Sequence, residues 1–120
     1  TGRYSYEFGY NGMRQALEKT KGLTAAFAMA DVIAIGAIRA LFDEGLRVPE
    51  DISVVAYGSE PYFAAQGVPM TAVMAPGKES GARAVEIMDQ YLTGQIPELQ
   101  SDMLPIQLKR QQSVIRLRRP

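Results

Sequence analysis

Two polar positions follow apolar runs and have residue types suited to chemistry. Asp31 comes directly after Leu23-Thr24-Ala25-Ala26-Phe27-Ala28-Met29-Ala30, and Tyr57-Gly58-Ser59-Glu60 follow Ile52-Ser53-Val54-Val55-Ala56. Apolar runs of this length, rich in β-branched residues at the second, read as strands covered by their surroundings. In a parallel α/β sheet, ligands sit beyond the carboxyl ends of such strands. A carboxylate pair such as Asp31 with Glu60 would have the groups for general acid–base work. The blander reading makes Asp31 the N-cap of a helix, where a carboxylate accepts amide hydrogens and meets the positive end of the helix dipole. Glu60 is then a solvated loop residue. Tyr62 and Phe63 are two adjacent aromatics in the loop after a strand, a pattern that fits an interface.

Composition removes most catalytic alternatives. The 120 residues include no histidine and no cysteine. Nucleophile–histidine pairs, thiol catalysis, disulfides and thiolate zinc sites are excluded with them. No G-x-G-x-x-G or Walker-type phosphate loop occurs. The residues therefore favour a binding module over an enzyme, with no catalytic residue, metal or cofactor expected.

The elements that position these residues are marked by local signals. Ser5 is placed to cap a helix running to about Lys19, with Tyr6, Tyr10, Met13 and Leu17 on one face. Gly22 closes that connection, and Leu23 to Met29 is the first strand. Val32 to Glu44 is a helix that is apolar almost all round, so it is expected to be buried on more than one side. Gly45 ends it in a left-handed conformation, Pro49 prevents its resumption, and Glu50-Asp51 complete a turn into the strand Ile52 to Ala56. Thr71 to Met74 is a short strand. Lys78 to Thr93 is a helix with Ala82, Val85, Met88 and Leu92 as its buried face, ended by Gly94. Leu104 to Leu108 alternates as a strand, and Gln112 to Leu117 is a candidate further strand. Helix feeding strand in this order is the unit of a Rossmann-like parallel sheet flanked by helices.

Length and charge agree with one modest core. A chain of 120 residues, 47% of them hydrophobic, is neither too small nor too polar to fold. Formal net charge is zero, which argues against a general nucleic-acid binder. The basic tail Lys109-Arg110 and Arg116-Leu117-Arg118-Arg119 is offset by acidic residues elsewhere. No apolar run approaches the roughly 20 residues of a membrane span. Thr1 is not a start residue, so upstream sequence is expected.

The stretch Gly45-Leu46-Arg47-Val48-Pro49-Glu50-Asp51-Ile52-Ser53-Val54-Val55, with Leu23-Thr24-Ala25-Ala26-Phe27-Ala28 before it and Met70-Thr71-Ala72-Val73 after it, closely resembles the lactose-repressor (LacI/GalR) family of bacterial transcription regulators. The resemblance runs from about Tyr4 to Ser113. It implies a type I periplasmic-binding-protein-like fold, a fragment of a two-lobed core. Residues 1–70 would belong to the C-terminal lobe. Residues 71–95 would be a crossover strand and helix of the N-terminal lobe, and 96–120 return strands and a basic tail. The resemblance also implies a small-molecule effector, sugar or related, and a homodimer. It implies DNA contact only through an N-terminal region absent from this chain, no membrane, and a cytoplasmic location.

Carried over position by position, the resemblance names Tyr4, Ala30, Asp31, Tyr57, Gly58 and Ser59 as ligand-binding positions. Tyr4, Asp31 and Tyr57 keep the family's residue kind. Ala30 stands where sugar-sensing members have an asparagine, and Gly58 where they have an aspartate. Two hydrogen-bonding groups are lost, which leaves open a less polar effector, polarity taken from Ser59, Glu60 or the other lobe, or weak or no binding. Ile35, Arg39, Tyr62 and Phe63 are the implied dimer contacts. The rival reading is a periplasmic receptor of a sugar importer, which shares the two-lobed fold.

Overall fold

The computed structural model describes residues 4–58 and 69–116. Its elements, in order, are α1 (Tyr6–Lys19), β1 (Ala25–Ala28), α2 (Asp31–Asp43), β2 (Ser53–Gly58), β3 (Thr71–Met74), α3 (Gly77–Leu92) and β4 (Gln107–Lys109). Four strands form one sheet in the order β1-β2-β3-β4. β1 and β2 run parallel in register from Ala25 opposite Ser53 to Ala28 opposite Ala56. β2 and β3 run parallel from Val55 opposite Thr71 to Gly58 opposite Met74. The parallel α/β sheet expected from the sequence is present.

Local signals set the helix ends. Ser5 caps α1, its hydroxyl accepting the Phe8 amide at 3.1 Å. α2 ends on Gly45 at φ +76°, with the Leu46 amide bonded to the Leu41 carbonyl at 2.9 Å and the Gly45 amide to that of Phe42 at 3.0 Å. That double closure satisfies carbonyls the helix would otherwise leave open. Gly94 closes α3 in the same way at φ +73°. The turn around Pro49 is tied by the Asp51 carboxylate, which accepts the Arg47 amide at 2.9 Å and its Nε at 3.1 Å.

Compactness divides the chain at other points than the family resemblance does. One unit comprises Thr1–Met74 and Leu108–Pro120, and the other Ala75–Gln107. In the first unit Ile38, Leu41, Ile52, Val54 and Met70 are fully buried between sheet and helices, with Met13 of α1 at the margin. α1 crosses α2 at two glycines. A side chain on Gly9 would strike the backbone of Ile33, and one on Gly36 the backbone of Tyr6. Such an approach brings two helix backbones into direct contact. β1 is the sheet's edge strand, with Phe27 largely exposed and an open apolar groove beside it lined by Phe8, Met13, Leu23 and Ile33.

Several expectations are corrected. The first strand begins at Ala25, two residues later than expected. The N-cap of α2 is Ala30, without a side-chain bond, and Asp31 is the first helical residue. β2 alternates between buried and half-buried positions, so only one of its faces is fully covered. The face of α3 read as buried is not: Val85, Met88 and Leu92 are exposed, and no residue of the helix is fully buried. Within its unit, α3 packs only against the segment that follows it. β4 starts at Gln107 because Pro105 has no amide to give a ladder. Gln112-Ser113 form a turn and residues 114–116 carry no strand.

The helix crossing generates a clear expectation. Gly9→Ala and Gly36→Ala should each destabilise the chain by about 2 kcal/mol or more, because backbone must move to make room. Gly12→Ala, where nothing lies within 4 Å of the added carbon, should be neutral or stabilising by about 0.5–1 kcal/mol through helix propensity. Urea denaturation of the three variants checks the contrast. Equal losses at Gly9 and Gly12 would show that close approach is not what the glycines serve.

Candidate functional site

The parallel register brings three strand ends to one edge of the first unit. β1 ends at Ala28, β2 at Gly58 and β3 at Met74, and Ala56 and Gly58 are paired with Ala28 and Met74 across the ladders. Met29-Ala30-Asp31, Tyr57-Gly58 and Ala75 therefore emerge together. α2 also begins here, so the positive end of its dipole faces the same region. α1 begins close by, because its early turns cross the early turns of α2 at Gly9 and Gly36. Tyr4 precedes that start.

Of the six candidate ligand positions, Ala30, Asp31, Tyr57 and Gly58 lie at this end, and Tyr4 precedes α1. Tyr4 is 70% exposed and Tyr57 42% exposed, which leaves both rings accessible. Ala30 and Gly58 are half-buried and offer no side-chain hydrogen bond. Asp31 is partly buried, and its Oδ1 accepts the Val32 amide at 2.8 Å. That bond orients the carboxylate at the first turn of α2 without making it the cap. Ser59 lies outside the described residues, as do Glu60, Tyr62 and Phe63. The Asp31–Glu60 pairing therefore has no described geometry.

Met29 was not singled out by sequence, yet it is 65% exposed at the end of β1. An exposed methionine two residues before Asp31 supplies an adaptable apolar surface at the strand ends. Its signal in the sequence was its place as the last large apolar residue of the run.

The expected dimer positions on α2 differ from each other. Ile35 is half-buried. Arg39 is exposed and held by Asp43, at 2.9 Å one turn on. Asp43 also accepts the Tyr10 hydroxyl at 3.0 Å, and Arg14 reaches Glu44 at 3.1 Å. These polar ties link the middle of α1 to the C-terminal end of α2. Arg39 first and Tyr10 second hold the Asp43 carboxyl below the usual carboxylate range. The Tyr10 hydroxyl is in turn raised by its bond to Asp43.

A cavity of about 530 Å³ lies inside the second unit, lined by Ala84, Ile87, Met88, Leu99, Leu104 and Ile106 among others. Its charged group is already engaged: Arg83 bonds Asp102 and Glu86, each at 2.7 Å. It is an apolar cleft with a satisfied rim, unlike the strand-end region with its helix terminus and accessible rings. Among the described residues no group of three or more His, Cys, Asp or Glu could hold a metal ion. No helix among them is long and apolar enough to cross a membrane.

The Asp43 network sets a pH expectation. A carboxyl lowered on folding stabilises above its ordinary range, and that contribution is lost as pH falls below about 4. A raised tyrosine stabilises below its ordinary value, and that contribution is lost as pH rises beyond about 10. The melting temperature should be flat between these limits. Asp43→Asn should shallow the fall at both ends, and leave part of the acid fall, since Arg47 also lowers Asp51 and Arg83 lowers Asp102. Melting curves across the pH range would read this directly, and an unchanged alkaline limb would remove Tyr10 from the network.

Comparison with known proteins gives this arrangement a family. The periplasmic binding protein-like domain model matches residues 3–114. The HTH-type transcriptional regulator MalR of Clostridium butyricum is 34% identical over 93 residues, which is 78% of this chain and 28% of that protein. A transcriptional regulator CelR–cellobiose complex superposes with a TM-score of 0.86 at 30% identity, covering 93% of this chain and 34% of that one. The lac repressor dimer bound to operator and the anti-inducer ONPF superposes with a TM-score of 0.83 at 29% identity, covering 94% of this chain and 39% of that one. The chain thus spans well under half the length of each. With the family model matching residues 3–114 and the fold superposing on regulators of this type, the chain belongs to the periplasmic binding protein-like domain family, in the form carried by LacI/GalR-type transcriptional regulators.

Proposed function

We propose that the chain is the effector-sensing and dimerising portion of a LacI-type transcription regulator. The observation that carries this is the convergence of Asp31, Tyr57, Gly58 and the start of α2 at the carboxyl ends of three parallel strands. That is where a doubly wound sheet takes ligands. On this reading the first unit corresponds to the C-terminal lobe, and α3 and its surroundings are part of the other lobe. The accessible α3 residues Val85 and Leu92 fit a helix whose lobe is completed by further sequence. A small molecule bound between lobes favours one lobe arrangement, and that alters DNA binding by a helix-turn-helix outside this chain. The effector must bind one arrangement better than the other to have any effect.

The residues present define what the effector resembles. Tyr4 and Tyr57 offer aromatic faces, Met29 an apolar one, and Asp31 one carboxylate for a hydroxyl or amide. Ala30 and Gly58 add none. A ligand with an apolar or aromatic face and few hydroxyls fits this set better than a hexose. Ile35, Arg39, Tyr62 and Phe63 are the positions proposed for dimer contacts. A cytoplasmic location follows from the regulator role. The name of the matching family keeps a second reading in view, an exported sugar receptor.

Reading the coding sequence upstream of Thr1 separates the two. A helix-turn-helix followed by a lobe supports the regulator, whereas a cleavable apolar signal sinks it. Binding can then be followed by calorimetry with cellobiose, ribose and adenine as probes. Ala30→Asn should tighten sugar binding by about tenfold, the gain from one buried hydrogen bond. Asp31→Ala should weaken every probe that binds. If neither substitution alters any affinity, the strand ends are not the ligand site.

A further inference from the structure

Two hydroxyls lie in the otherwise apolar core of the first unit: Thr71 is 7% exposed and Ser113 is fully buried. Each is a complete donor–acceptor pair. Ser113 Oγ donates to the Val54 carbonyl at 2.6 Å and accepts the Thr71 amide at 2.8 Å. Thr71 Oγ1 donates to the Gln111 carbonyl at 3.1 Å and accepts the Gln111 amide at 2.9 Å. Backbone bonds complete the knot. The Val54 amide donates to the Ser113 carbonyl at 2.8 Å, and the Ser113 amide to that of Pro69 at 3.0 Å. The ladder between β2 and β3 begins only at Val55 opposite Thr71. Just before that rung, Ser113 bonds both strands. Burying hydroxyls costs stability unless both capacities are used, and here both are.

The position of this knot along the chain gives it a second meaning. The chain leaves the first unit after Met74 and re-enters it at Leu108. Thr71 lies just before the exit and Gln111 just after the return, and one hydroxyl clamps them together. We propose that Thr71 and Ser113 form a single anchor that holds both chain passages in register, so that any movement between the two units pivots beyond it, at Ala75-Pro76 and Ile106-Gln107. Thr71 and Ser113 are then positioning residues. Hinges are a few residues at element ends; Ala75-Pro76 follows the end of β3, and Ile106-Gln107 spans the start of β4. The inference rests on the two-lobed reading for its functional meaning, but its geometry and its test need no effector.

The chain has no cysteine, so Glu18→Cys in α1 and Ala82→Cys in α3 give a unique spin-label pair with one label in each unit. The distance distribution is measured by pulsed electron resonance in four backgrounds: native, Thr71→Val, Thr71→Ser and Ser113→Ala. Valine keeps the shape and removes the hydroxyl, while serine keeps the hydroxyl and removes the methyl. The expected result is a broader distribution in Thr71→Val and Ser113→Ala, and the native width in Thr71→Ser. Amide exchange at Gln111 should rise about tenfold in Thr71→Val, with the Ile38 amide in α2 unchanged. A native width in Thr71→Val overturns the proposal. Equal broadening in Thr71→Ser also overturns it, since packing would then be the cause. If Ser113→Ala does not fold, the Thr71 pair decides alone. These widths are read without ligand, so a failure here is distinct from a failure to find an effector.

Discussion

The backbone of β2 is the constraint around which the first unit is arranged. A central strand must place every buried amide and carbonyl on a partner, because no water reaches them. β2 does so with three different neighbours: β1 along one side, β3 along the other from Val55 onward, and Ser113 at Val54. The burial of Val54 and Ala56 on one face recruits α2, and α2 in turn recruits α1 through the two-glycine crossing. The strand-end region is a by-product of this order. Parallel pairing makes the three carboxyl ends coincide, and α2 begins where β1 stops. Nothing at the site has to hold itself in place.

The parts of this arrangement legible in the sequence are those whose cause is local. Ser5, Gly45, Pro49 and Gly94 each act on residues within one turn, so their types and positions were sufficient. The misread parts depend on groups far away in sequence. Gln112 to Leu117 reads as a strand by alternation, yet Ser113 is drawn into a turn by Val54 and Thr71, some 59 and 42 residues earlier. The face of α3 has a helix's apolar spacing, but spacing does not say which surface will cover it. Asp31 has the residue type of a cap and lies one position too late to be one. The candidate site shows the same division. The sequence located the strand ends and the residues at them, while the exposure of Met29 and the engagement of Arg39 by Asp43 are properties of the folded chain.

The chemical character of the strand ends follows from what is small there. Ala30 and Gly58 leave room without adding hydrogen bonds, whereas Asp31 contributes a carboxylate already oriented by the Val32 amide. On the proposed reading, an effector at strand ends with one oriented polar group and several apolar or aromatic surfaces is selected by shape and face more than by hydroxyl count. Sharing a frame with sugar-sensing regulators therefore does not oblige the chain to share their ligands.

The open edge of β1 carries a consequence for handling the protein. Among the described residues, no strand pairs with the outer side of Ala25 to Ala28, which carries an exposed phenylalanine and no lysine, proline or bulge. Such an edge is a template for another strand, whatever the average polarity of the surface. A charge placed at Phe27 would oppose such pairing and should raise the concentration at which the chain stays dispersed.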